Sequence, residues 1–297
     1  MVFEVTVSVT FGLYWTSRLY GILYKYTVTV NVITMSSDGV DMKVVVLVKQ
    51  VPDTYEKRTI ALDTGLLARE ASENVVDEID ERVCAVAADL KKDGVATEVV
   101  AVTMGPANAD KAIRKVLALA ADRAIHIVDD ALAGADMVQT ARVLAKAAGD
   151  ADLILSGAES TDGGGAMVPA MIAEILGRPH IVGADSIEVT DGTITGVTNT
   201  ETEKLTLSAT TPAVVSLTEK AGEPKLPNFK AIREAKKKEI ATTSLADLGL
   251  AAGPEAAYVR NVMVSAAERP PKEAGQKVSG ETAATELVDF LAERHLI

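Results

Sequence analysis

From residue 43 to residue 183, short apolar runs alternate with longer stretches whose apolar residues recur at helical spacing. The runs are Lys43–Val51 (KVVVLVKQV), Thr97–Met104 (TEVVAVTM), Ala124–Val128 (AIHIV), Ala151–Ser156 (ADLILS) and His180–Gly183. Continuous apolar runs, unlike alternating ones, belong to strands covered on both faces. Between them the spacing predicts four helices. The first is capped by Asn74 and runs to about Lys92, with Asp77, Glu78, Asp80 and Glu81 at the positive end of its dipole. The second ends near Asp122 and carries Ile113, Val116, Leu117 and Ala120 on one face. The third covers Asp136–Ala148. The fourth follows the loop Gly157–Gly165 and closes at Leu176, where Gly177 caps and Pro179 stops it. A β-α-β order of this kind implies a Rossmann-like α/β fold, a parallel sheet with helices on both faces. Ligands of such sheets bind in the crevice at the carboxyl ends of the strands.

After residue 185 the pattern turns to period two. SIEVT and TITGV flank Asp191-Gly192, a hairpin signal, and Leu205, Leu207 and Val214–Leu217 extend it. The expected result is an antiparallel edge hairpin on the parallel core. From Gly222 regularity fades among Pro224, Pro227, Pro254, Pro270 and Pro271. A final helix at about Glu281–Arg294 is expected to bury Ala284, Leu287, Val288 and Leu291. This extended C-terminal arm either embraces a partner or packs on its own domain. By this pattern the chain divides into an α/β domain, 42–222, and a further segment with its arm, 223–297.

Residues 1–41 are a separate problem. Seven of the 11 aromatic residues lie there. The charge-free run before Arg18 is 13 residues long, residues 5–17, against the roughly 20 that a membrane span needs. Glu4 sits where a signal peptide carries positive charge. The leading reading is a start placed too early, with Met42 as the natural first residue and poor order before it. A membrane-associating segment and an isolated hairpin are the alternatives.

Composition removes several functions. The formal net charge is -12, which disfavours general binding to phosphate backbones, so no nucleic-acid partner is expected. A single cysteine, Cys84, excludes an internal disulfide and a cysteine zinc cluster. His126, His180 and His295 are too scattered for a metal site, and His126 and His180 read as packed strand residues. Cys84 lies among Val83, Ala85 and Val86 and reads as a buried, inert thiol. Ser160 and Asp162 have no histidine placed to complete a catalytic triad. No catalytic residue is assigned.

Two loops follow buried strands, Met104–Asn108 and Ser156–Gly165. Gly163, Gly164 and Gly165 precede a helix, where backbone N–H groups and the helix dipole can seat an anion. Phosphate binding and a mobile loop are both compatible with these residues. Neither a Walker A loop nor G-x-G-x-x-G after the first strand is present. In Lys225–Lys238 (KLPNFKAIREAKKK) six cations face Glu234 alone, a net of +5 within an acidic chain. Phe229 in that segment reads as an apolar docking element ringed by charge, against the plainer reading of a solvated basic helix.

KVVVLVKQVPDT, NVVDEIDER, AVTMGPANADKAIRKVLALAADRAIHI, STDGGGAMVPAMIAEILG, TPAVVS and GEPKLPNFKAIREAKKKEI, followed by DLGL, occur in this order. Together they resemble the β subunit of electron-transfer flavoprotein. The resemblance implies a heterodimer with an α subunit, with one FAD mainly in α and one AMP in β. It implies electron flow from dehydrogenases, commonly acyl-CoA dehydrogenases, to a quinone oxidoreductase. The β subunit would be a cytoplasmic carrier subunit without stable membrane insertion, catalysing no reaction itself. Carried over by position, the AMP site uses Leu47, Val48, Asn74, Met104, Ser160, Asp162, Gly163, Gly164, Gly165, Ala166, Met167 and Val168. The glycines replace side chains common in the family, which shifts AMP contacts toward backbone N–H groups. Phe229 falls at the dehydrogenase anchor, with Lys230, Lys236, Lys237 and Lys238 beside it. Thr54 and Val76 stand where some members place aromatics near the flavin, so stacking on it is not expected. The alternatives are a universal-stress-type nucleotide-binding protein, a nucleotide-dependent ligase, and a bifurcating variant with FAD in place of AMP.

Overall fold

The computed structural model describes residues 41–251, 263–272, 274–275 and 277–297. The expectations for residues 1–40 and for Pro254 lie outside these. In chain order the strands and helices are β1 Met42–Leu47, β2 Gln50–Pro52, β3 Asn74–Val76, α1 Glu78–Lys92, β4 Ala96–Met104, α2 Asp110–Leu119, β5 Arg123–Ile127, α3 Met137–Ala148 and β6 Leu153–Gly157. There follow α4 Val168–Leu176, β7 His180–Ala184, β8 Ser186–Thr190, β9 Thr193–Asn199, β10 Lys204–Thr210, β11 Ala213–Leu217, α5 Phe229–Ala235, β12 Ile240–Thr243 and α6 Ala283–Glu293.

The main sheet has the order β12-β5-β4-β1-β6-β11-β7. Every neighbouring pair in it is parallel. Val44 and Val46 of β1 and Leu153 and Leu155 of β6 pack with Val83 of α1 and Ile113 and Leu117 of α2. Val45, Leu47 and Ile154 point the other way, onto Leu144 of α3 and Ile172 of α4. The central strands β1, β4, β6 and β11 are mostly apolar because both of their faces are covered. Each such side chain contributes about 1.5–3 kcal/mol on burial.

Several local readings shift. The first strand ends at Leu47, and the chain from Gln50 leaves the sheet to pair antiparallel with β3. Asn74 therefore opens a strand, and Asp77 caps α1 by accepting the Ile79 N–H. β-branched Val75 and Val76 favour the extended chain, and a better cap lies three residues on. The hairpin turns at Asp191 and Gly192, both at positive φ. With β10 it forms its own three-stranded antiparallel sheet. Gly196 is needed there, since a Cβ would fall 2.6 Å from Ile181 Cγ2. β11 is buried at every position and inserts parallel between β6 and β7, so it does not extend the hairpin. β12 pairs with β5 at the sheet edge, which carries the α/β body past residue 222.

Residues 61–66 and 263–297 form a second unit. Its α6 has no buried residue: Ala284, Leu287 and Val288 are exposed and Leu291 is half-buried. The burial expected of that stripe is not found, because a short amphipathic helix does not by itself supply a second layer to pack on.

Candidate functional site

β4 lies on one side of β1 and β6 on the other, so the chain reverses its direction across the sheet at β1. The crevice of such a sheet opens at this point, between the segments leaving the carboxyl ends of β1 and β6. Those segments are Val48-Lys49-Gln50 and Ala158–Met167.

Two carboxylates from the start of α1 fill the floor. Asp77 accepts the Ile79 N–H at 3.0 Å and both the N–H and the hydroxyl of Thr161 at 2.7 Å. Its own N–H donates to the Lys49 carbonyl. Asp80 accepts the Lys49 N–H at 2.7 Å and the Gly157 N–H at 3.3 Å, tying the ends of β1 and β6 together. Burial, then the Asp77 charge, pushes the Asp80 carboxyl up to about 8 against those two donors. Gly157 is required here, because a Cβ would lie 2.8 Å from Asp80 Oδ1. The N-terminus of α1, the usual anion seat of this architecture, is thus satisfied by the chain's own carboxylates.

The start of α4 differs. Its cap position, Met167, makes no side-chain cap bond, and its first turn has no acidic residue. Gly163, Gly164, Gly165, Ala166 and Met167 are exposed in front of it. Gly164 and Ala166 hold positive φ, and the Gly164 N–H donates to the Ser160 carbonyl. A Cβ at Gly165 would fall 2.7 Å from Met137 Sδ. Val168 opens the helix half-buried.

An ion-paired layer braces this loop. Lys49 Nζ donates to Asp162 Oδ1 at 2.6 Å and to Ser160 Oγ at 3.1 Å. Arg69 donates to Asp162 Oδ2 at 3.1 Å and to the Gln50 carbonyl at 2.9 Å. Burial raises the Asp162 carboxyl, but the Lys49 hydrogen bond and charge, with Ser160 and Arg69, hold it below the usual range. Arg58 donates to the carbonyl and hydroxyl of Thr161.

On the β4 side, Gln50 donates to the Asn108 carbonyl at 3.4 Å and Asn74 donates to the Arg69 carbonyl at 2.9 Å. Gln50 Oε1, Asn74 Oδ1 and Ser156 Oγ are buried without a hydrogen-bond partner. Buried acceptors in that state are open to a ligand donor. The side chains of Leu47 and Val48 enter opposite core clusters, which leaves only their backbone to a ligand, and Met104 is half-buried at the end of β4. The structure thus places the expected residues at or after the carboxyl ends of β1, β4 and β6, with Asn74 at the start of β3. Sequence reading missed Lys49, Gln50, Arg58, Arg69 and the structural use of Asp77 and Asp80. The polar Lys49-Gln50 pair directly after a buried strand was the available signal. Arg58 and Arg69 sit in an irregular segment with none.

A groove of about 1130 Å³ lies elsewhere, reaching Lys43 and Arg123 at the opposite ends of β1 and β5, and Leu245 and Leu248. Its position at the amino ends of those strands separates it from the crevice. Among the described residues no group of His, Cys, Asp and Glu is placed to hold a metal ion. Cys84 is buried, and burial pushes its thiol up. His126 is buried in β5, and half-buried His180 lies with Nε2 3.2 Å from Ser216 Oγ.

The basic segment forms a second surface. Asn228 caps α5 by accepting the Ala231 N–H, and Arg114 of α2 donates to the carbonyls of Ala235 and Lys238. Phe229 is 85% exposed, and Leu226, which sequence reading passed over, is 93% exposed. Lys236 and Lys237 are exposed, and Lys230 lies 3.9 Å from Glu234. Lys238 instead turns inward and donates to the carbonyls of Leu117 at 2.8 Å and Ala121 at 2.6 Å, at the end of α2. Burial lowers its pKa.

A family model described as "Electron transfer flavoprotein domain" matches residues 64–248. The chain is 40% identical over 263 residues to the electron transfer flavoprotein subunit beta of Mycobacterium tuberculosis (strain ATCC 25618 / H37Rv), a match spanning 86% of this chain and 99% of the relative. It is 32% identical over 255 residues to the subunit of the same name in Bacillus subtilis (strain 168), spanning 84% and 97%. It is 29% identical over 265 residues to the Caffeyl-CoA reductase-Etf complex subunit CarD of Acetobacterium woodii, spanning 86% and 100%.

Proposed function

The chain belongs to the electron transfer flavoprotein β-subunit family, and from that premise we propose that it pairs with an α subunit to carry electrons between dehydrogenases and a quinone oxidoreductase. In this reading FAD is held mainly by the α subunit, and one AMP lies in the crevice of this chain. The flavin supplies the one- and two-electron chemistry. The heterodimer works in the cytoplasm, and its donors include acyl-CoA or related dehydrogenases.

One observation carries the AMP assignment: two helix N-termini face the crevice, and only that of α4 is free of a capping side chain and of acidic residues in its first turn. The exposed glycines in front of it let backbone N–H groups approach a phosphate. The buried acceptors Asn74 Oδ1 and Gln50 Oε1 suit the donor groups of a nucleoside. A second FAD in place of AMP brings a pyrophosphate. The α1 terminus that seats pyrophosphate in dinucleotide folds is taken by Asp77 and Asp80, which favours the mononucleotide.

The basic segment fits the dehydrogenase contact. Leu226 and Phe229 project from it as apolar anchors, with Lys230, Lys236 and Lys237 around them to meet an acidic surface. Lys238 supports the segment from inside.

The test is co-expression with an electron transfer flavoprotein α chain. A yellow 1:1 complex, bleached by acyl-CoA plus its dehydrogenase, is the expected result. Copurification of the two chains without flavin overturns the electron-carrier reading.

A further inference from the structure

We propose that Lys49 and Arg69 are side-chain ligands of the nucleotide's phosphate, held in place by the buried carboxylate of Asp162. The inference rests on the nucleotide reading of the crevice and assigns its charge recognition to residues outside the glycine loop.

The three side chains are unequally exposed. That of Asp162 is 3% exposed, while those of Lys49 and Arg69 are 40% and 30% exposed. The carboxylate therefore lies on the inner side of the pair, and both cations keep an outer face. Lys49 uses two of its three N–H donors, on Asp162 and Ser160. Arg69 uses two of five, on Asp162 and the Gln50 carbonyl. One N–H of Lys49 and three of Arg69 stay uncommitted in the hydrogen bonds among the described residues.

The glycine loop places this pair at the phosphate seat. A Cβ at Gly163 would lie 3.7 Å from Lys49 Nζ and 3.2 Å from Ser160 Oγ. The ammonium thus sits against the first glycine in front of α4. On the other flank, Glu159 Oε2 lies 4.0 Å from where a Cβ of Gly164 would be, which directs an anion toward the Gly163 side. Three cations, Lys49, Arg58 and Arg69, gather here with Asp77 and Asp162, and Glu159 stands on the far flank. A buried counter-ion that fixes two cations in advance lowers the ordering cost when the anion arrives.

The experiment uses the α/β heterodimer stripped of nucleotide and titrated calorimetrically with AMP, adenosine and inorganic phosphate. Wild type binds AMP more tightly than adenosine, and added salt narrows the gap. Lys49→Gln and Arg69→Gln each weaken AMP about tenfold or more and leave adenosine unchanged, as expected for a lost charge-assisted contact. Lys49→Arg restores most of the AMP affinity. Asp162→Asn, which frees the cations from their fixed positions, also weakens AMP selectively. Inorganic phosphate competes with AMP in wild type and no longer does so in Lys49→Gln. Equal losses for AMP and adenosine, or no loss for either, overturn the proposal and leave the pair as a brace for the loop. Wild type that binds neither AMP nor adenosine overturns the nucleotide reading itself, and this inference with it.

Discussion

Asp80 is buried at the start of α1, close to Asp77, and accepts two backbone N–H groups. Its removal leaves the Lys49 and Gly157 donors unpaired at the crevice floor. Asp80→Ala should therefore cost about 2 kcal/mol or more of stability. The cost should also depend on pH. The Asp80 pKa rises from 3.8 to about 8, so its proton is held more tightly in the fold than in the unfolded chain. The stability this supplies is full below about pH 4 and is lost as pH rises through about 8. Urea unfolding of wild type and Asp80→Ala should accordingly show a larger difference at pH 5 than at pH 8. A difference that is constant, or that grows with pH, contradicts the raised pKa. Sequence reading placed Asp77 and Asp80 near the helix dipole correctly. Their pairing with Thr161, Gly157 and Lys49 joins segments about eighty and thirty residues apart, which periodicity does not encode.

The basic segment and α5 divide their side chains between partner and body. Leu226 and Phe229 face outward, and Lys238 closes the end of α2. Leu226→Ala and Phe229→Ala should each slow reduction by the dehydrogenase about tenfold at low donor concentration. Both should change stability by less than about 0.5 kcal/mol. Lys238→Ala should do the reverse, costing about 1 kcal/mol with little effect on docking. Stopped-flow reduction and urea unfolding separate the two patterns, and an unchanged reduction rate removes Leu226 or Phe229 from the contact. The elements themselves were unevenly legible. α3 and α4 follow the spacing closely: Gly177 occupies the cap position expected, and Asp136, read as the first residue of α3, is its N-cap. β12 was missed because Ile240–Thr243 is short, half-exposed and paired only at an edge. β11 reads as apolar in sequence, but its insertion between β6 and β7 depends on a crossover that local pattern does not specify.

Across the whole molecule, the alternation of buried runs and amphipathic helices was enough for the parallel sheet and for the location of the crevice. The glycine loop and the helix it leads into were legible because both lie in one continuous segment. The ionic layer behind it was not, since Lys49, Arg69 and Asp162 come from three segments brought together only by the fold. The proposed function requires one mononucleotide in this chain beside one flavin in the pair. Nucleotides released by denaturing the purified heterodimer, identified by mass spectrometry and quantified against protein, test this directly. The expected result is one FAD and one AMP per heterodimer. Two FAD and no AMP, or ATP in place of AMP, contradicts the account.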